Sequence, residues 1–375
     1  MLINLSLLSG SLVVGLIILE VVLRTLTPFT IGHPRELYRN SKTLGYEYRP
    51  RFEGVYKTYH NFNTKIKINS KGLRDYEYPY DKPEGVVRIL VLGDSFTAGL
   101  EVGMEDTYPK VLERLLNDSE KNKNRRYEVI NAGVPGYSTV QELQYLKEHG
   151  IKYEPDLVIV GFCMTNDYKD NYFRLKRYVE GNQFKDVLRT AENGSGFFPR
   201  VKVYLRKHTL LYPLLVGRLK QSVWLNRLLV KFNISGPSTF EEFQINVPGH
   251  LKKVWGYTEE ILREMNSFSR EHSARLTVVM IPFQYQMSIS RWQRDKNKHG
   301  LDDKDFYIDN PQRVLSDICR KENIPVFDLT NSLREQSEKT KVYIENDGHW
   351  TKHGHEYAAK EIYRYLINKD IIDGK

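Results

Sequence analysis

Ser95, His349 and Asp347 are residue types that together can carry out acyl transfer. A serine hydroxyl becomes a nucleophile when a base takes its proton, and histidine is the side chain suited to that task near neutral pH. Asp347 stands two residues before His349 and can hold the imidazole in the required tautomer. Gly136 can bring a backbone N–H close to a substrate oxygen, with no side chain in the way, and the Asn166 amide can supply a second donor. Donors aimed at a developing oxyanion in a dry site are worth about 3 to 4 kcal/mol each. A plain capping role for Ser95 at a strand-to-helix turn, and a loop-capping role for Asn166, stand beside this reading.

Those residues need elements to hold them. Ser95 falls within Val91–Gly99, after a strand-like run, Val87–Leu92, and before a helical segment with Tyr108, Leu112 and Leu115 apolar among charges. Open α/β sheets place their ligands at the carboxyl ends of strands. A second strand, Tyr127–Asn131, runs into a loop with Gly133 and Gly136, and a helix carrying Leu143 and Leu146 follows. A third strand, Asp156–Phe162, ends at Cys163-Met164-Thr165-Asn166-Asp167. Further on come a helix over Leu251–Glu271, a strand at Arg275–Ile281, a helix around Val314–Cys319 and a short strand, Ile324–Leu329. The last helix carries Ala358, Ile362 and Leu366 on one face. Such alternation implies an α/β fold with a parallel sheet and right-handed crossovers. Asp94 and Asp167 read as structural, and Trp350 as packing.

Two regions depart from the rhythm. Residues 25–85 read as a lead-in that packs on the main domain, with a strand over Thr64–Asn69, a turn at Ser70–Arg74 and no obvious chemistry. Residues 168–250 read as an inserted, mostly helical cap beside the catalytic rim. Its apolar run, Leu210–Val216, is too short to span a bilayer.

At the N-terminus, Leu2–Leu23 is almost unbroken apolar sequence. A transmembrane helix needs about 20 such residues. No basic n-region or A-x-A-like cleavage site is evident, so the stretch reads as an uncleaved single-pass anchor, with Glu20 tolerable near its end. Arg24, Arg35, Arg39 and Lys42 follow it, which by the positive-inside rule favours a cytoplasmic domain, although long domains override that rule.

A net charge of +9 could suggest nucleic acid, but Lys and Arg are scattered among Asp and Glu over 375 residues. The Lys121–Arg126 cluster therefore reads as a solvated loop, and no nucleic-acid partner is expected. Apolar residues at 40% and charged ones at 27% describe a globular protein of one large domain with appendages. Cys163 and Cys319 lack metal spacing and read as buried free thiols. His349, His353 and His355 lack a zinc pattern, and Thr351 reads as the N-cap of the last helix. No metal or cofactor is called for.

Taken together, Gly93-Asp94-Ser95, Asn131-x-Gly133-x-x-Gly136, Thr165-Asn166-Asp167 and Asp347-x-His349 resemble the blocks of the SGNH (GDSL-type) hydrolases, over roughly residues 85–370. The α/β-hydrolase motif G-x-S-x-G is absent at Ser95. The resemblance implies a three-layer, flavodoxin-like parallel sheet. It implies Ser95 as nucleophile and His349 as base, with the N–H groups of Ser95 and Gly136 and the Asn166 side chain as oxyanion hole. The commoner family pattern places the acid at position 346, which here is Asn346, so Asp347 takes the role, with Glu345 as the weaker substitute. The Asp-x-His-Trp arrangement resembles a branch that includes polysaccharide O-acetyltransferases and envelope esterases.

The expectation is a membrane-anchored esterase with an anchor at 1–24, a lead-in at 25–85 and a hydrolase domain at 86–370. Its substrate would be a small-molecule ester or the O-acyl groups of envelope glycans or lipids. Envelope-acting relatives argue for an extracytoplasmic domain. An O-acyltransferase acting on a polysaccharide hydroxyl is the alternative within enzymes. A non-catalytic, membrane-tethered glycan-binding or scaffold protein is the alternative outside them.

Overall fold

The structure is a computed structural model that describes residues 2–26, 34–57, 63–119, 125–171, 240–345, 347–369 and 371, with single short stretches at 201, 204–205, 209 and 211–212. The chain divides into two compact units, 1–31 with 185–240, and 32–184 with 241–375. The larger unit holds every predicted site residue.

Its centre is a five-stranded parallel sheet. The strands are β5 (Val86–Gly93), β6 (Arg126–Asn131), β7 (Leu157–Cys163), β8 (Arg275–Ile281) and β9 (Val326–Asp328), in the spatial order β6-β5-β7-β8-β9. The strands read as continuous apolar runs because both faces are covered. From β5, Ile89 and Val91 enter one buried cluster with Tyr108, Val111, Leu112 and Leu116 of α3 (Tyr108–Asn117) and Ala358, Ala359, Ile362 and Leu366 of α9 (Lys352–Asn368). On the opposite face Leu90 and Leu92 are fully buried as well. The helices α4 (Thr139–Glu148) and α5 (Gly249–Glu271) pack on each other, and α5 packs on β8. A buried Leu, Ile or Val contributes about 1.5 to 3 kcal/mol, so the doubly covered strands dominate the stability of this unit. The expected α/β class with a parallel sheet is observed, and the strands fall where the sequence places them. The last strand is shorter than the predicted Ile324–Leu329 because its ladder register with β8 covers only Val326–Asp328.

The order of these strands reverses at β5, which has β6 on one side and β7 on the other. A crevice therefore opens at the carboxyl end of β5, between the connections that leave β5 and its neighbours. Ser95 follows β5 directly.

The lead-in forms two antiparallel hairpins. One pairs β1 (Tyr38–Ser41) with β2 (Gly45–Tyr48), and the other pairs β3 (Glu53–Lys57) with β4 (Asn63–Lys67). Only β4 is anticipated by the sequence, as Thr64–Asn69. The predicted turn after it is an Asx turn, with Asn69 Oδ1 accepting from the N–H groups of Lys71 and Leu73, both at 2.9 Å. Cys163 and Cys319 are buried free thiols, as expected.

In the smaller unit α1 runs from Leu2 to Leu26. Glu20 accepts from Arg24 Nε at 2.9 Å and from the N–H of Leu211 at 2.9 Å. The side chains of α1 are described at Gly10, Ser11 and residues 14–25, a stretch that contains both Glu20 and Arg24. Among the described residues no helix is long and apolar enough to cross a membrane. The membrane-spanning anchor expected over Leu2–Leu23 therefore finds no support in the fold. Most of the expected helical cap at 168–250, and Lys121–Asn124 of the basic cluster, lie outside the described residues.

Candidate active site

Ser95 is the first residue of a single helical turn, α2 (Ser95–Ala98). The cap of that turn is Asp94, whose Oδ1 accepts from the N–H of Phe96 at 2.9 Å. The Ser95 hydroxyl is thereby left free of capping duty, and it lies 2.8 Å from His349 Nε2. On the other side of the ring, His349 Nδ1 lies 2.6 Å from Asp347 Oδ1. The tautomer this implies carries its proton on Nδ1, donated to Asp347, and leaves Nε2 to accept from Ser95. Ser95 is half-buried, whereas Asp94 beneath it is buried.

The loop before α9 brings His349 to the serine. Gly348 has φ +96°, a conformation that favours glycine, and it turns the chain so that Asp347 Oδ1 also accepts from the N–H of His349 at 3.2 Å. The N–H of Ile344 donates to His349 O at 2.8 Å and closes the loop. Trp350 is fully buried, packed edge-on against Phe96 with ring centroids 5.0 Å apart. Thr351 caps α9 by accepting from the N–H of Gly354 at 3.1 Å. Glu345, the weaker candidate for the acid, points elsewhere: it is exposed and pairs with Lys341 at 3.7 Å.

The two flanking connections hold the other candidates. The loop after β6 stays in register with β5, because the N–H of Val134 donates to Gly93 O at 3.0 Å. Gly136 follows in a turn at φ +77°, beside the Tyr46 hydroxyl of β2, which donates to Pro135 O at 2.7 Å. After β7, Asp167 Oδ2 accepts from the N–H of Cys163 at 2.7 Å and ties the strand end to its loop. Asn166 is half-buried, and its Nδ2 lies 3.3 Å from Asp170 Oδ2. Gly136 and Asn166 thus stand on the connections to either side of the Ser95 turn. Of the remaining histidines, His353 is exposed, while His355 is buried and its Nδ1 accepts from the N–H of Tyr108 at 3.3 Å. Burial first, then the nearby charges of Arg74 and His349, push His355 down to about 3, so it stays neutral.

Two charged residues at this site are invisible to motif reasoning. Glu101, in the turn after α2, is buried and its Oε1 lies 3.6 Å from His349 Nδ1. Arg74, from the lead-in, is 1% exposed and donates to Ala98 O at 2.9 Å, Gly99 O at 2.6 Å and Val102 O at 2.6 Å. It binds carbonyls at the end of the one-turn helix and in the turn just beyond it. The lead-in therefore does bear on the chemistry, contrary to its reading from sequence. The only forewarning for Glu101 is a carboxylate set between apolar Leu100 and Val102.

Burial disfavours the charged form of His349. The hydrogen bond to Asp347 and the negative charges of Glu101, Asp347 and Asp94 outweigh it and raise the group to about 9. Glu101, Asp347 and His349 place one ligand atom each within 4.8 Å of one another. A cation there would have to displace the Nδ1–H to Asp347 bond that orients the ring, so the three are read as an orienting set and not as metal ligands. A cavity of about 670 Å³ lies at the other end of the sheet, lined in part by Tyr78, Pro83, Arg126 and Glu128. It takes no part in the Ser95 arrangement.

A serine hydroxyl within hydrogen-bond reach of an imidazole, at the switch point of a parallel α/β sheet, is an arrangement suited to acyl transfer. The chain belongs to the GDSL-like lipase/acylhydrolase family, whose profile matches residues 91–357. It is a hydrolase of ester bonds. Curated proteins offer no match. Solved structures similar to it include TesA, at 13% identity and TM-score 0.39, with 74% of this chain and 97% of that chain covered. Another is a two-domain esterase (CEX) active on acetylated mannans, at 13% identity and TM-score 0.41, with 76% of this chain and 49% of that chain covered. A third is a lipase/acylhydrolase from Enterococcus faecalis, at 14% identity and TM-score 0.40, with 76% of this chain and 96% of that chain covered.

Proposed function

We propose that the protein cleaves carboxylic esters through an acyl-enzyme on Ser95. The observation that carries this reading is the continuous chain Ser95 Oγ, His349 Nε2, His349 Nδ1, Asp347 Oδ1, at 2.8 and 2.6 Å. His349 takes the Ser95 proton as Oγ attacks the ester carbonyl. The Nδ1–H stays with the ring and its bond to Asp347 steadies the imidazolium. The N–H groups of Ser95 and Gly136 and the Asn166 amide receive the oxyanion. The imidazolium then protonates the leaving alkoxide, and an acyl group remains on Ser95. Water, activated by the same imidazole, completes hydrolysis. If a sugar hydroxyl takes its place, the product is a transferred ester.

A fluorophosphonate probe tests the site. Mass spectrometry of labelled peptides finds the adduct on Ser95. Because the base acts only when neutral, the labelling rate climbs as pH rises and levels off above about 9, the value to which His349 is raised. Labelling at another residue, or a rate that has already levelled off by pH 7, overturns the assignment.

For the substrate we favour an O-acyl group on an envelope glycan, with the catalytic unit outside the cytoplasm. What supports this is the Asp347-x-His349-Trp350 likeness to glycan-acting relatives and the tyrosine-rich hairpin β1–β2, whose half-buried Tyr46 stands beside Gly136. We also infer that α1 associates with membranes. Val14, Ile17, Ile18 and Val21 are all more than half exposed, and a contiguous apolar surface of this kind seeks an apolar partner. The full chain is expected to float with liposomes while residues 34–375 stay in the soluble fraction. Flotation of both, or of neither, refutes it.

A further inference from the structure

We propose that Glu101 is a second carboxylate for the imidazole of His349, a positioning residue that works beside Asp347. The inference rests on the reading of Ser95 and His349 as nucleophile and base. Glu101 Oε1 stands 3.6 Å from His349 Nδ1, and the side chain is 4% exposed. Its other oxygen, Oε2, is buried with no hydrogen-bond partner among the described residues. An ionised carboxylate in such a place is costly unless a positive charge meets it. The imidazolium formed during catalysis is the larger such charge, and the Arg74 guanidinium is the other.

The main chain around Glu101 is fixed for this purpose. Arg74 holds the carbonyls of Ala98, Gly99 and Val102, and the Thr64 hydroxyl donates to Glu101 O at 3.3 Å. Facing the carboxylate are His349, Asp347, Arg74 and the phenols of Tyr38, Tyr48 and Tyr56. Facing the imidazole are Asp347 from its own loop, Glu101 and Asp94 from either side of α2, and neutral His355 from α9. Burial raises Glu101 above the usual carboxylate range. The charge of His349 pulls it down most, its own main-chain N–H and Arg74 also lower it, and Asp347 raises it, so the largest favourable influence on its ionised form is the charged ring.

A division of labour follows from the geometry. Nδ1 has one hydrogen, and Asp347 at 2.6 Å holds it. Glu101 acts across 3.6 Å by charge, and it becomes the acceptor of the same hydrogen when Asp347 is removed. No proton leaves Nδ1 in either case. The proton that moves is the one Ser95 gives to Nε2.

The test compares E101Q, E101D, D347A and E101Q/D347A in the full chain, with S95A and H349A as controls. Two readouts are taken: the pH profile of kcat/KM on p-nitrophenyl acetate, and the titration of His349 followed by NMR. E101Q is expected to move the acid limb and the NMR midpoint to lower pH and to lower the plateau about threefold to tenfold. E101D, which keeps the charge but withdraws it, falls between E101Q and wild type. E101Q should cost about tenfold or more in the D347A background, because the remaining carboxylate charge beside Nδ1 is lost, and this exceeds its cost alone. If S95A or H349A keeps full activity, the catalytic reading itself falls. If both are inactive while E101Q and E101D titrate like wild type, or E101Q costs nothing in the D347A background, Glu101 has no positioning role. Should E101Q fail to fold, E101D decides by the same titration: an unmoved midpoint overturns the proposal.

Discussion

Ser95→Ala is expected to lower kcat on p-nitrophenyl acetate by at least about 10⁴-fold while leaving the thermal midpoint within about 2 °C of wild type. The two halves of that result have separate causes. The hydroxyl is the only group in the Ser95 turn that meets His349 Nε2, so its removal leaves no atom to be acylated. The turn itself is capped by Asp94, which accepts from Phe96, and its far end is held by Arg74. Neither bond involves the Ser95 side chain. A variant that retains wild-type turnover would sink the acyl-enzyme mechanism. A variant that loses activity together with several degrees of stability would show that the hydroxyl is structural.

Gly133→Ala is expected to destabilise the fold by about 3 kcal/mol or more and to abolish activity with it. A Cβ at this position would stand 2.4 Å from Ala98 N, 2.6 Å from Thr97 C and 2.7 Å from Thr97 Cβ. Two of the three are main-chain atoms of α2, so no rotamer change relieves the overlap. Asn131 closes the same contact from the other side, accepting from the N–H of Gly133 at 3.0 Å and donating to Thr97 O at 2.9 Å. The loop carrying Gly136 can therefore retreat only by breaking its link to the Ser95 turn. Chemical denaturation reads the effect. A midpoint equal to that of wild type would mean the loop and α2 are looser than their contacts imply.

Much of this arrangement is legible in the sequence, for a physical reason. Strands buried on both faces, such as Val87–Leu92 and Arg275–Ile281, announce themselves as apolar runs bounded by polar loops. The Asp347-Gly348-His349 unit is local, so two residues of separation suffice to predict that the acid reaches the ring. Gly133 can be recognised as part of a motif, but its role is a contact with Ala98, 35 residues upstream, that no periodicity encodes. The hairpin β1–β2 is hidden because its strands, Tyr38–Ser41 and Gly45–Tyr48, are short and mix tyrosines with charged and small residues. Glu101 and Arg74 are hidden more deeply. Composition favours exposure for charged side chains, and only tertiary structure shows that these two are enclosed. At the N-terminus the opposite occurs: the apolar run of Leu2–Leu23 is conspicuous, yet its expected membrane-spanning role is not met by the described helix.

The guanidinium that closes the Ser95 turn comes from residue 74, whereas the family profile begins at residue 91. The working enzyme is thus larger than its signature. A scaffold grafted or trimmed at β5 would carry every motif residue and still lack the guanidinium that bridges the Ala98, Gly99 and Val102 carbonyls. For this chain, the unit that shapes the Ser95 turn includes a segment upstream of the residues that the family profile matches, so the turn's geometry is set in part from outside the family's defining blocks.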